Sequence, residues 1–183
     1  MNKKHLLLPL LAAALGVGSL ASTLAAATDP AGKTAARTPA PRIARHVEAK
    51  LTRRLRAATW HWETVMGVRR SRSSAPLNTR VALRFWRRHA ASARRLAASP
   101  PNKRGWLCIH GFEGAWADSG DPYWGGLQMD RGFMSRYAPR LLLRRGWANR
   151  WTPLEQMWVA ERARRSGRGY WPWPNAARIC GLL

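Results

Sequence analysis

Residues 108–116 read CIHGFEGAW and place one acidic side chain, Glu113, among apolar and aromatic residues. Phe112 comes directly before it, Gly114 directly after it and Trp116 shortly afterwards. The pattern predicts a helix that ends at Glu113. The carboxyl end of a helix disfavours negative charge, and apolar surroundings raise the pKa of a carboxyl group. A neutral carboxylic acid is what general acid catalysis requires, so Glu113 is the candidate catalytic residue.

The other five carboxylates of residues 101–183 each have a predicted structural role. They are Asp118 and Asp121 in the turn sequence DSGDP, Asp130 as a helix N-cap, Glu155 in a capping box that begins at Thr152, and Glu161 in a surface ion pair with Arg165. Elimination therefore leaves Glu113 without a structural role. The alternative is a buried structural glutamate.

A second candidate element is the sequence PYWGGLQMD, residues 122–130. Its glycine pair, Gly125 and Gly126, permits close approach of a ligand to the backbone. Gln128 offers both a hydrogen-bond donor and an acceptor. The flat rings of Tyr123 and Trp124 offer surfaces on which sugar rings stack. The alternative is a tight hairpin that packs on the core with its aromatic rings buried.

The N-terminus predicts export. Residues 1–27 have a basic start, an apolar stretch and small residues at a cleavage site after Ala27, as in a secretory signal peptide. A retained membrane anchor is the alternative. Residues 28–41 are rich in alanine, proline and threonine, which is typical of a linker.

Charge is distributed unevenly. The chain has 32 lysine and arginine residues against 9 aspartate and glutamate residues, a net charge of +23. Residues 28–100 contain 17 of the basic residues and 3 of the acidic ones. An exported basic chain predicts an anionic partner outside the cell, such as the polymers of a bacterial wall, and nucleic acid is not expected.

Residues 42–100 predict a basic amphipathic helical hairpin. The first helix runs from Arg42 to a stop at Gly67, and the second runs from Thr79 to Ala98. The predicted core-facing residues are Ile43, Val47, Leu51, Leu55, Trp62 and Met66 in the first helix and Phe85, Trp86, His89, Ala93 and Leu96 in the second. The hairpin either docks on the C-terminal domain with its arginines in solvent, or adheres to wall polymers or a membrane surface.

The chain has two cysteines, Cys108 and Cys180. An even number of cysteines in an exported chain favours one disulfide. Their spacing does not fit a zinc site, and no cofactor motif is visible, so neither a metal nor a cofactor is expected. The scattered histidines His61, His89 and His110 are interpreted as structural or surface residues.

Four sequence blocks occur in order: CIHGFEGAW, YWGGLQMD, PLEQMWVAERA and a closing WPWP followed by CG. This series resembles the transglycosylase-like domain of the actinobacterial resuscitation-promoting factors, small secreted members of the lysozyme-like superfamily that cut peptidoglycan. The resemblance covers about residues 106–181. It implies that residues 101–183 form a mainly α (α+β) lysozyme-like domain with a short β-turn element.

The resemblance also implies site residues. Glu113 matches the catalytic acid, which would protonate the leaving oxygen of the β-1,4 bond between N-acetylmuramic acid and N-acetylglucosamine. Gly126, Leu127 and Gln128 match the substrate cleft. With three aromatic residues and one residue of the matched helix added, the candidate substrate-binding residues are Trp116, Tyr123, Trp124, Gly126, Leu127, Gln128 and Gln156. The chain departs from the family at Cys108, which lies five residues before the glutamate rather than directly before it.

Two chemical outcomes are open. A lytic transglycosylase needs one carboxylate, which then acts as base towards the muramic 6-hydroxyl. A hydrolase usually needs a second carboxylate, for which Asp118 and Asp121 are the candidates. Two alternatives belong to other classes: a wall-binding module without catalysis, and a cationic membrane- or nucleic-acid-binding protein based on residues 42–98.

Overall fold

The structure, a computed structural model, describes residues 41–183. The predicted signal peptide and residues 28–40 of the predicted linker lie outside the described residues. The described part is mainly helical, as the sequence predicts. Its helices are α1 (Pro41–Met66), α2 (Arg80–Ala97), α3 (Lys103–Glu113), α4 (Arg131–Tyr137), α5 (Arg140–Leu143), a 3-10 turn (Ala148–Arg150), α6 (Pro153–Ala163), a π-helical turn (Arg164–Arg168) and α7 (Pro174–Ile179).

Local capping sets three of the predicted helix starts. The Thr79 hydroxyl accepts a hydrogen bond from the Ala82 N–H at the start of α2. The Asp130 carboxylate accepts from the Phe133 N–H at the start of α4. Thr152 begins α6 with a capping box, so its side chain and that of Glu155 satisfy amide groups that have no partner within the helix.

The predicted apolar stripe of the hairpin is wrong for the first half of α1. Ile43 and Val47 are 60% and 58% exposed, and Leu51 of α1 and Leu96 of α2 are exposed as well. The residues that α1 and α2 bury are mostly small, including Ala49, Thr52, Thr59, Ala82, Ala90, Ala93 and Ala97. Small residues let two helix backbones approach closely, so the larger aliphatic side chains of α1 remain outside this contact.

The hairpin and the C-terminal region share one hydrophobic core within residues 41–183. The Trp158 indole N–H donates a 2.9 Å hydrogen bond to the Ala97 carbonyl. The Arg162 guanidinium donates a 2.8 Å hydrogen bond to the Thr64 carbonyl. These bonds connect α6 to both helices of the hairpin, so the basic segment is part of the domain core.

Helix α6 is the central element of this core, because most of its residues are buried. Glu161 is buried and pairs with Arg164 at 2.7 Å, so the predicted surface pair with Arg165 is wrong. The chain leaves the α-helical path after Ala163 and continues as the π-helical turn. This change of geometry alters the spacing on which the predicted pair depended.

The predicted short β element is reduced to one isolated antiparallel bridge between Trp124 and Met129. Residues 41–183 contain no β-strand longer than this bridge. The predicted disulfide is confirmed: Cys108 of α3 is bonded to Cys180 at the end of α7, 72 residues later. None of the helices within residues 41–183 combines the length and the apolar character needed to cross a membrane.

Candidate active site

Glu113 is the last residue of α3, as predicted. Its side chain is partly buried, and its carboxyl group has no hydrogen bond or ion pair with any residue of the described part of the chain. Burial raises the pKa of Glu113 above its ordinary value. The residue therefore has two properties of a general acid: a stabilised neutral form and a carboxyl group with no structural partner.

Glu113 lines a cavity of about 320 Å³. The other lining residues are Tyr123, Gln128, Pro172, Trp173, Pro174 and Asn175. A second cavity, of about 400 Å³, shares four of these residues, namely Tyr123, Gln128, Pro172 and Trp173. The two cavities are thus adjacent sections of one cleft. Turn 122–130 lies on one side, and residues 172–175, which belong to the tail of the chain after α6, lie on the other.

The sequence patterns do not identify the tail residues of this cleft as site residues. Trp173 is buried, and its indole N–H donates a 2.6 Å hydrogen bond to the Leu127 carbonyl. This bond holds the tail against turn 122–130, and the two neighbouring prolines line the cleft. The repeated Trp-Pro pattern is a signal of rigid, irregular backbone, but it does not indicate which part of the chain that backbone contacts.

Gln128 and Tyr123 lie in the cleft with Glu113, as the candidate site requires. The Gln128 amide donates hydrogen bonds to the Asp118 carboxylate at 2.7 Å and to the Gly125 carbonyl at 3.0 Å. Its two N–H groups are therefore occupied, and its amide oxygen is available to a ligand. The Tyr123 side chain is 47% exposed, so its ring remains available for stacking.

The two candidate second carboxylates have other partners. Asp118 accepts hydrogen bonds from the Gly120 N–H and from the Gln128 amide, and these bonds lower the pKa of Asp118. Asp121 pairs with Arg131 at 3.2 Å. Neither carboxylate lines the cavity that contains Glu113. Their predicted turn role therefore accounts for both.

Trp116 and Gly126 pack against each other and against His110. The Trp116 ring stacks on the His110 ring with centroids 3.9 Å apart, and the His110 Nδ1–H donates to the Gly126 carbonyl at 3.1 Å. A Cβ atom at Gly126 would lie 2.6 Å from the His110 ring and 2.7 Å from the Trp116 ring. The close backbone approach that this glycine permits is to the protein's own aromatic rings.

Three other predicted substrate contacts are buried side chains. Trp124, Leu127 and Gln156 belong to the core, and Gln156 has no exposed surface. Its amide oxygen accepts from the Gly126 N–H at 2.9 Å, and its amide nitrogen donates to the Trp116 carbonyl at 2.8 Å. These buried side chains support the walls of the cleft from within the core.

Within residues 41–183, no three His, Cys, Asp or Glu side chains cluster closely enough to hold a metal ion. Comparison of the chain with protein-family models, with curated proteins and with solved structures found no match. The resemblance to the transglycosylase-like domain therefore stays a prediction from sequence motifs.

Proposed function

We propose that the domain cleaves the glycan of peptidoglycan at the β-1,4 bond between N-acetylmuramic acid and N-acetylglucosamine, with Glu113 as general acid. The observation that carries the proposal is the Glu113 carboxyl, whose pKa is raised by burial and which has no structural partner in the cleft. The sequence resemblance supplies the substrate class, and a lysozyme-like arrangement of the cleft is part of the proposal.

The proposed reaction uses the neutral acid first. Glu113 donates its proton to the bridging oxygen while the bond from that oxygen to the muramic C1 breaks and positive charge develops on the sugar. The Glu113 carboxylate then accepts the proton of the muramic 6-hydroxyl, whose oxygen bonds to C1. The product is a 1,6-anhydro sugar, and the regenerated neutral acid completes the cycle.

This single-acid reaction is favoured over hydrolysis by the partners of Asp118 and Asp121. Hydrogen bonds hold Asp118 in a turn, and an ion pair holds Asp121 at the surface. A hydrolase that acts through two carboxylates would need one of them to face the bond being cleaved. Mass spectrometry of the products distinguishes the outcomes, because the anhydro product is lighter than the hydrolysis product by one water molecule.

The direct test is Glu113→Gln, which keeps the size of the side chain and removes its acid. We expect release of soluble fragments from insoluble peptidoglycan to fall at least about 100-fold, the contribution typical of a general acid. The matched control is Glu48→Gln on α1, where the carboxylate lies 3.8 Å from Arg80. Equal release by Glu113→Gln and the native protein would reject the proposal. Binding to peptidoglycan without any soluble product from the native protein would favour a wall-binding module.

A second activity is supported by the surface of α2. The helix exposes arginine side chains that form no ion pair with a carboxylate of residues 41–183: Arg84, Arg87, Arg88, Arg94 and Arg95. We propose that this surface binds the anionic polymers of the wall after export of the protein. Because the attraction is between charges, binding should weaken as salt is added.

The α2 proposal is tested on two wall preparations, one intact and one stripped of its anionic polymers. Retention of the protein should fall on the stripped walls, and replacing Arg87, Arg88 and Arg95 by glutamine should reduce retention only on the intact walls. Equal retention on both preparations, or tighter binding to duplex DNA than to intact walls, would reject the proposal.

A further inference from the structure

Two arginines lie at the far section of the cleft, away from Glu113. Arg136 is in the last turn of α4, and Arg168 is the last residue of the π-helical turn. Both line the 400 Å³ cavity that shares Tyr123 and Gln128 with the Glu113 cavity. Neither guanidinium forms an ion pair with a carboxylate of residues 41–183. The cleft therefore has a free carboxyl group at one end and two unpaired cations at the other.

The two arginines line the same cavity as Tyr137. Ser166 and the positive charges of Arg136 and Arg168 lower the pKa of the Tyr137 hydroxyl. The Arg136 guanidinium also lies over the Tyr137 ring, 5.8 Å from its centroid. Two cations and one tyrosine thus belong to the same section of the cleft.

The path of the chain after α6 brings Arg168 to this place. The π-helical turn contains Gly167 at φ +98°, a left-handed conformation that glycine adopts without strain. Departures from the α-helix of this kind occur often at functional sites. One carboxylate also lines the cavity, that of Asp130, but its Oδ1 accepts the capping hydrogen bond from the Phe133 N–H at 2.7 Å.

From this geometry we propose that Arg136 and Arg168 form a subsite for a carboxylate of the substrate, namely a free carboxylate of the peptide that peptidoglycan carries on its muramic sugar. The proposal rests on the proposed function and refines its substrate class to peptide-bearing glycan rather than bare glycan. The planar guanidinium group binds a carboxylate through paired hydrogen bonds, which makes arginine the suitable residue for this task.

A binding experiment separates this subsite from catalysis. The protein carries Glu113→Gln, and the two probes are a disaccharide tetrapeptide with free carboxylates and the same compound with its carboxylates converted to methylamides. By titration calorimetry we expect the free acid to bind about tenfold more tightly, because its hydrogen bonds to the two arginines are charge-assisted. Adding Arg136→Gln and Arg168→Gln should abolish this preference.

The matched control adds Arg140→Gln and Arg144→Gln instead, which removes the same amount of charge from exposed positions outside the cleft. This control should keep the tenfold preference. Equal affinity for the two probes, a preference that survives loss of Arg136 and Arg168, or no binding of either probe would each overturn the subsite.

Failure of the subsite and failure of the proposed function give different results. A native protein that releases soluble fragments from peptidoglycan, while its Glu113→Gln form binds both probes equally, has the activity without the subsite. A protein that prefers the free acid through Arg136 and Arg168, but releases no fragments, has the subsite without the activity.

Discussion

The amide oxygen of Gln156 accepts a 2.9 Å hydrogen bond from the N–H of Gly126, thirty residues away in the chain. The amide nitrogen of the same side chain donates to the carbonyls of Trp116, Ala148 and Trp151. One buried glutamine therefore joins α6, the loop after Glu113, the turn that contributes Gln128, and the 3-10 turn. The position of the cleft walls depends on this side chain although it never reaches the cleft.

Gln156→Glu tests this dependence. The change replaces the donating amide nitrogen with an oxygen that faces three carbonyl oxygens in a buried place. We expect the free energy of unfolding to fall by about 3 kcal/mol, because buried polar groups lose their partners and a buried charge gains none. Urea unfolding measures the loss.

The exposed Asn175, which lines the cleft but makes none of these bonds, supplies a control as Asn175→Asp. That variant should unfold close to the native protein. If Gln156→Glu unfolds at the native urea concentration, the buried network does not hold the cleft together.

The ionisation of Glu155 makes the free energy of unfolding depend on pH. Although desolvation raises the pKa of this buried carboxylate, hydrogen bonds from His61, Arg145 and the Thr152 N–H lower it from 4.5 to about 2. The unfolded chain then binds a proton at a pH where the folded chain does not. Stability from this group is therefore present above pH 4.5 and is lost as the pH falls towards about 2.

We expect Glu155→Gln to flatten the dependence of unfolding free energy on pH between those two values. The measurement is urea unfolding of the native protein and the variant in matched buffers at several pH values. A native slope that persists in the variant would assign the acid sensitivity to other carboxylates.

The contribution of Glu113 to stability depends on pH in the opposite direction. Burial raises its pKa above 4.5 in the folded chain, so the folded state holds a proton that the unfolded state releases. Stability from this group is present below pH 4.5 and falls as the pH rises through the folded pKa. Ionisation of Glu113 therefore destabilises the fold.

Glu113→Gln should accordingly unfold at a higher urea concentration than the native protein at pH ~7, by less than about 1 kcal/mol because the group is only partly buried. The difference should disappear in acid. A variant that is less stable than the native protein at neutral pH would identify Glu113 as a structural glutamate, the alternative that the sequence leaves open.

Features set by local chemistry were predictable from the sequence. The capping residues Thr79, Asp130 and Thr152 act within one turn of their helices, so a few neighbouring residues suffice to predict them. A local signal also predicts the end of α3 at Glu113. The disulfide is predictable for another reason, because two cysteines allow only one pairing.

Features set by distant contacts were not predictable. The spacing of apolar residues in α1 predicts a helix. Ile43 and Val47 are nevertheless exposed, because packing against the alanine-rich face of α2 determines which side of α1 is buried. The same holds for the site: the sequence places Gln156 in a helix beside the cleft, but it does not predict the hydrogen bonds that this side chain makes. The contact of Trp173 with Leu127, which adds the tail to the cleft, joins residues far apart in the sequence.

The shared core also makes a prediction about domain boundaries. Trp158 of α6 is buried and bonds to the Ala97 carbonyl, while Arg162 bonds to the Thr64 carbonyl and Glu155 pairs with His61 at 2.9 Å. A fragment of residues 101–183 would expose the Trp158 face to water and leave these polar groups without their partners.

We therefore expect residues 101–183 alone to unfold at a much lower urea concentration than residues 38–183. Burial of large apolar side chains is worth about 1.5–3 kcal/mol each, and Val65 and Met66 of α1 are both buried. The longer fragment should match the full chain in urea unfolding, which serves as the control for truncation itself. If residues 101–183 unfold cooperatively at the same midpoint as the longer fragment, the hairpin is an accessory segment that the fold of residues 101–183 does not need.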